Sequence, residues 1–224
     1  MGKTIIISLG GSVIVPDKID VTFLKEFKDN IEMHVSRGCK FVIYTGGGRI
    51  ARDYQNAASQ IAKLSDEDLD WIGIYATRLN AQLIKSIFKN KADGIILNPN
   101  DNITFKKNII VAAGWLPGWS TDYDAVLVAK NIKSKEIINM SNVNYIYDKD
   151  PKKFNGAKPF YNLTWQDYRS LIATKWSAGL NAPFDPIAAK EAEKLKIKVV
   201  LLGRDLKNFE DYINKRKFEG TVIE

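Results

Sequence analysis

Three glycine turns, each closing an apolar run, are the residues of this chain best suited to chemistry. The longest, Gly114-Trp115-Leu116-Pro117-Gly118-Trp119-Ser120-Thr121-Asp122, follows residues 109–113 and leads into a helical pattern over 124–130. Gly10-Gly11-Ser12 follows residues 4–9, and Gly46-Gly47-Gly48 follows residues 40–45. A strand that breaks into a glycine turn before a helix leaves backbone N–H groups free, and those groups with the helix dipole attract phosphate. Ser120 and Thr121 add hydroxyl donors. Any one turn alone reads more readily as the φ > 0 residue of a tight loop. Three of them at strand ends predict a site that handles several phosphates, because such ends line one edge of an open parallel sheet.

The elements that must position these turns alternate. Strands are expected over 4–9, 40–45, 92–97, 108–113, 136–140, 197–202 and 221–223. Helices are expected over 21–37 with Asp20 as N-cap, about 49–63, about 68–88, from 124, from Thr164, 186–195 and 206–213. Thr164-Trp165-Gln166-Asp167 is a capping box with Asp in place of Glu, and Pro186 suits a first helical turn. Residues 142–150 read as a hairpin or irregular loop and 150–153 as a turn. Strand–helix alternation predicts an α/β fold with a largely parallel sheet, and no linker or repeat divides the chain.

Composition removes several classes of function. With 224 residues and 45% hydrophobic content the chain can build a proper core. No signal-peptide series or apolar run of roughly 20 residues is present, which predicts a cytosolic protein with no membrane partner. A single cysteine, Cys39, excludes an internal disulfide and a Cys-rich zinc site. The single histidine, His34, follows Phe23, Phe27 and Ile31 at helical spacing and reads as a half-packed helix residue, so histidine-based catalysis is not expected. Net charge is +7, but the basic residues are scattered and no RNA-binding aromatic signature accompanies them, so nucleic acid is not the expected partner.

Gly10-Gly11, the run from Gly46 to Arg52, the run from Asp70 to Asn80, Ser120-Thr121-Asp122, Asp150-Pro151-Lys152, Asp185-Pro186 and the terminal Gly220-Thr221-Val222-Ile223 together resemble the amino-acid-kinase family. Within it, their order and spacing are similar to bacterial and archaeal UMP kinases, with the length of the archaeal type. The resemblance covers nearly the whole chain. It implies a three-layer α/β/α sandwich in one domain over 1–224, with an acceptor half of about 1–130 and a nucleotide-donor half of about 131–224. It also implies transfer of the ATP γ-phosphoryl group to UMP with Mg²⁺, in a homo-oligomer, a hexamer by resemblance.

The matched positions carry roles by that resemblance. Arg52 would fork onto the UMP phosphate while Gly46 and Gly47 let backbone amides approach it. Asp70 would receive the ribose hydroxyls, although its place among Asp66, Glu67 and Asp68 also suits a plain helix N-terminal charge. Thr121 would contact the UMP phosphate or base, with Asp122 behind it ordering the loop. Gly10, Gly11 and Asp185 would surround the transferred group, Asp185 orienting positive groups and helping to place Mg²⁺, or serving as an N-cap before Pro186. Ser141, Tyr147 and Asp150 would hold the ATP adenosine, with Tyr147 equally readable as core. The metal ligands are not assigned.

The chain departs from the family's pattern at identifiable places. Ser8 stands where bacterial UMP kinases carry a lysine, a gap that a base such as Lys175 in the 171–179 loop could fill. Asn142-Val143-Asn144-Tyr145 replaces Asn-Val-Asp-Gly, exchanging an acid for an amide and a glycine for a ring. Trp115 and Trp119 would stack on a base or cover the loop. Isopentenyl phosphate kinases, of the same fold, use an acceptor-site histidine, and His34 lies in another segment. The remaining alternatives are a kinase for another small phosphorylated acceptor and a nucleotide-binding regulator that has lost its chemistry.

Overall fold

The structure is a computed structural model that describes residues 3–151, 153–172 and 182–224. Lys175 falls outside the described residues. The strands are β1 (Thr4–Leu9), β2 (Lys40–Thr45), β3 (Ala92–Ile96), β4 (Ile109–Ala112), β5 (Glu136–Met140), β6 (Ile146–Tyr147), β7 (Pro159–Phe160), β8 (Asn162–Leu163), β9 (Lys198–Leu202) and β10 (Thr221–Ile223). Among them run α1 (Gly11–Ile14), α2 (Val21–Ser36), α3 (Gly48–Ile61), α4 (Asp66–Phe88), α5 (Thr121–Asn131), α6 (Trp165–Leu171), α7 (Pro186–Leu195) and α8 (Leu206–Ile213).

Eight strands form one sheet in the order β3-β4-β2-β1-β5-β9-β10-β8. All its pairings are parallel except β10 on β9, while β6 and β7 make a separate antiparallel pair. Alternation along the strands builds two cores. From β1, Ile5, Ile7 and Leu9 point to the layer of α1, α2, α4 and α8, where Phe27, Ile84 and Phe209 are buried. Ile6 points to the layer of α5, α6 and α7, with Val126, Tyr168 and Ala189. Helices cover both faces, so the central strands read as unbroken apolar runs rather than alternating ones. Ser8 shares the face of Ile6 and therefore looks toward α5.

Several boundaries differ from the sequence-based expectations. α4 begins at Asp66 because Ser65 caps it in a reciprocal box with Asp68. α5 begins at Thr121, three residues early, because Ser120 accepts the Tyr123 N–H at 3.1 Å. Residues 11–14 form a short helix directly after β1, and the 142–150 stretch pairs through β6 with a strand a dozen residues away. His34 is fully buried, its ring edge-on to Phe41 and Phe209, rather than half-packed. Burial lowers its pKa.

Candidate functional site

Because β1, β2 and β4 are adjacent and parallel, the three glycine turns meet at one edge of the sheet. The first two touch through backbone. A Cβ on Gly11 would lie 2.0 Å from the Gly48 nitrogen, and one on Gly46 2.3 Å from the Gly11 nitrogen. Gly48 also holds φ at +68°, so glycine is required there both for its conformation and for its contact. Gly10 packs on β5, donating its N–H to the Met140 carbonyl at 2.9 Å.

One face of α4 fixes the second and third turns. Asn80 Nδ2 donates to the Gly46 carbonyl at 2.7 Å and to that of Gly47 at 3.2 Å. The Thr77 hydroxyl accepts the Gly114 N–H at 2.9 Å. Arg78 donates to the Gly114 and Trp115 carbonyls at 3.3 and 3.0 Å and lies over the rings of Trp71 and Tyr75. Asp70 Oδ2 accepts the Gly118 N–H at 2.6 Å. Sequence reasoning singled out Asp70 but gave Thr77, Arg78 and Asn80 no work. The signal was the helical recurrence of Asp70, Gly73, Ile74 and Thr77, all four of which line the same cavity.

That cavity, of about 610 Å³, lies between the turns and α4. Five of the expected residues line it, namely Gly11, Gly47, Arg52, Asp70 and Thr121, and Trp119 joins them. The Trp119 ring is stacked on Tyr123 at 4.4 Å between centroids. Gly10, Gly46, Asp122, Ser141, Tyr147, Asp150 and Asp185 are not among the lining residues. A larger cavity, of about 700 Å³, lies at the opposite sheet edge, where its Glu136 is paired with Lys198 at 2.9 Å and with Lys3 at 3.0 Å.

Behind the cavity is a group of acids. Asp122 Oδ1 accepts the Ser8 hydroxyl at 2.8 Å and Oδ2 accepts the Asp185 N–H at 3.2 Å. Burial, with the Asp185 charge adding to it, raises the Asp122 pKa to about 6, against the pull of the Ser8 bond. Asp185 Oδ1 caps α7 by accepting the Ala188 N–H at 2.6 Å. Its Oδ2 is buried and makes no hydrogen bond of full geometry among the described residues, and burial raises this carboxyl against the pull of the Ala188 and Ile187 N–H groups and the Ser120 hydroxyl. Asp185 is thus both a cap and a carboxylate oxygen with unused acceptor capacity. A divalent cation with phosphate ligands of its own suits such an oxygen, since Mg²⁺ takes one or two carboxylates and fills its shell from substrate. Among the described residues no three acids, histidines or cysteines cluster as a complete metal cage.

The adenosine candidates lie beyond β5. Ser141 donates its N–H to the Leu202 carbonyl at 2.8 Å. Tyr147 is half-buried in β6, edge-on to Tyr145. Asp150 opens the turn into Lys153 and Phe154, whose N–H groups reach its carbonyl at 3.1 and 3.0 Å. Asn144 rests on Gly203, where a Cβ would lie 1.9 Å from Asn144 Oδ1. The altered 142–145 segment is therefore seated on the end of β9.

The amino acid kinase family model matches residues 3–203. The uridylate kinase of Thermoplasma acidophilum is 35% identical over 100% of this chain and 98% of its own length, and that of Archaeoglobus fulgidus is 34% identical over 98% and 99%. The crystal structure of the A. fulgidus uridylate kinase superposes with a TM-score of 0.83 at 32% identity, covering 99% of this chain and all of that one. An aspartate kinase from Synechocystis, 16% identical, shares the fold over 98% of this chain and 39% of its own, with a TM-score of 0.73. Three phosphate-type turns meeting over one cavity, with this match along most of the chain, place the protein in the amino acid kinase family.

Proposed function

We propose that this protein is a UMP kinase, transferring the γ-phosphoryl group of ATP to UMP to give UDP and ADP. The observation that carries this reading is the convergence of Arg52, Asp70 and Thr121 on one cavity beside the Gly11 and Gly47 turns. A guanidinium, an acceptor-only carboxylate and a hydroxyl suit a phosphate, a ribose and the loop between them. The archaeal relatives of matching length carry the name uridylate kinase, which supports the same acceptor.

In this reading Arg52 holds the UMP phosphate in line with the donor while Gly46 and Gly47 keep the loop close to it. Phosphoryl transfer needs this positioning and charge neutralisation more than covalent chemistry. Asp70 keeps Oδ1 for the ribose while Oδ2 holds Gly118, and Thr121 faces the acceptor. Asp122, joined to Ser8 and Asp185, orders the floor beneath them. Gly10 and Gly11 bring bare backbone beside the transferred group, the space of their missing side chains being taken by Met140 and Gly48. Ser141, Tyr147 and Asp150 take the adenosine, so acceptor and donor halves divide near residue 130 within one domain. Mg²⁺ with ATP would be held by Asp185 Oδ2 and would neutralise phosphate charge. The protein works as a cytoplasmic homo-oligomer, a hexamer like that implied by the family, with nucleotides rather than nucleic acid or membrane as partners. Among the described residues no helix is long and apolar enough to cross a membrane.

A coupled ADP-release assay with Mg·ATP against UMP, CMP, dUMP, AMP and isopentenyl phosphate tests the reading. Turnover well above the others is expected with UMP. Turnover confined to another acceptor would overturn the assignment, and nucleotide binding with no turnover at all would favour a regulator marked by Ser8, where bacterial UMP kinases carry a lysine, and by Asn144.

A further inference from the structure

Asp124 is a buried acid that the proposed chemistry does not use. It sits in the first turn of α5 with 0% exposure, between Tyr123 and Ala125. A carboxyl there is costly unless hydrogen-bonded, and an apolar side chain would fill the same core. Among the described residues its carboxyl makes one hydrogen bond, to the acceptor-side turn, where Oδ2 accepts the Trp115 N–H at 3.1 Å. Oδ1 has no hydrogen-bond partner among the described residues, and neither has the buried Tyr44 hydroxyl, on which the Asp124 charge acts. Tyr44 is in register with Ala112, so it flanks the strand that leads into the turn.

We infer that Asp124 is a positioning residue for the acceptor site, tying the start of the Gly114–Thr121 turn to the helix that carries Thr121 and Asp122. The geometry is that of a clamp with two jaws. From α4, Thr77 and Arg78 hold the Gly114 N–H and the Gly114 and Trp115 carbonyls. From α5, Asp124 holds the intervening Trp115 N–H. Both sides of that peptide are thereby fixed, and Trp119 and Thr121, which line the cavity, inherit the placement. Donor residues Ser141, Tyr147 and Asp150 lie on other segments. The effect should therefore fall on the acceptor alone, a specificity that rests on the kinase reading above.

The experiment compares Asp124→Ala and Asp124→Asn with the wild-type chain, measuring KM for UMP and for ATP, kcat, thermal stability and the hydrogen-exchange rate of the Trp115 amide. Loss of one net hydrogen bond corresponds to about a fivefold to tenfold change. Asp124→Ala is expected to raise the UMP KM by about that factor and to speed Trp115 exchange at least as much, leaving the ATP KM unchanged and kcat within about twofold. Asp124→Asn, whose amide oxygen can still accept the N–H, is expected to restore both readouts to within about twofold of wild type. Equal rises in the two KM values, an unchanged Trp115 exchange rate in Asp124→Ala, or no rescue by Asn would overturn the inference. Should Asp124→Ala not fold, wild-type exchange decides, with a Trp115 amide slower than that of Leu116 supporting the tether and equal rates refuting it. Exchange needs no nucleotide, so a failure of the kinase reading would leave this test standing.

Discussion

Replacing Ser8 by alanine removes the hydroxyl that donates to Asp122 Oδ1 at 2.8 Å from a side chain only 4% exposed. The size of the effect depends on the charge of Asp122. Its pKa of about 6 lies above the unfolded value of 3.8, so folding takes up a proton between those values. The stability this group contributes is present in acid and lost as pH rises through 6, and the Ser8 bond offsets part of that loss by favouring the carboxylate. A hydrogen bond to a charged acceptor contributes about 1.5–3 kcal/mol and one to a neutral acceptor about 0.5–1.5. Ser8→Ala should therefore cost about 2 kcal/mol at pH 8 and about 1 kcal/mol at pH 5. For a chain of this size each kcal/mol moves Tm by about 2–4 °C, giving falls of about 4–8 °C at pH 8 and about 2–4 °C at pH 5. Calorimetric melts of wild type and variant, without metal or nucleotide, measure both. Equal falls at the two pH values, or none, would refute the assignment of this bond to an ionising Asp122.

Two other substitutions are informative together. Asp185→Asn keeps an α7 cap, because Asn caps as Asp does, and should leave Tm within a few degrees. In steady-state assays it should lower kcat on the order of a hundredfold with less change in either KM, as expected for a group that works on developing phosphoryl charge. Gly48→Ala must place a Cβ 2.3 Å from the Gly11 carbonyl at φ +68°, whereas Gly118→Ala meets open space at φ +83°. Denaturation should show about 1 kcal/mol lost at Gly118 and a clearly larger loss, or no soluble protein, at Gly48. Similar losses at both would show that the close approach of the first two turns is wrong.

The strands beside the site were legible because a parallel sheet covered on both faces demands long β-branched runs, and residues 4–9 and 40–45 are such runs. Helix starts were less so. Ser65 and Asp68 carry the same capping pattern that marks Thr164 and Asp167, and it sets the start of α4 at Asp66, two residues before the expected Asp68. α5 starts at Thr121 because the Ser120 oxygen accepts the Tyr123 N–H, which uses its acceptor capacity and not the hydroxyl donor expected from the sequence. The antiparallel return of β10 and the β6–β7 pair depend on long-range register that no local pattern encodes. In the site, glycine spacing located the three turns, while the contacts by which α4 pins the second and third are seen in three dimensions. Thr77, Arg78 and Asn80 act mostly on backbone carbonyls and amides, and those partners leave no mark in sequence.

The claim most in need of a direct test is that the Arg52 cavity receives the phosphorylated acceptor. The measurement is the steady-state kinetics of Arg52→Ala with UMP and ATP varied in turn. Loss of a charge-assisted fork of about 1.5–3 kcal/mol should raise the UMP KM by about tenfold to a hundredfold with the ATP KM unchanged. Unaltered UMP kinetics in a folded variant, or a change confined to ATP, would contradict the account.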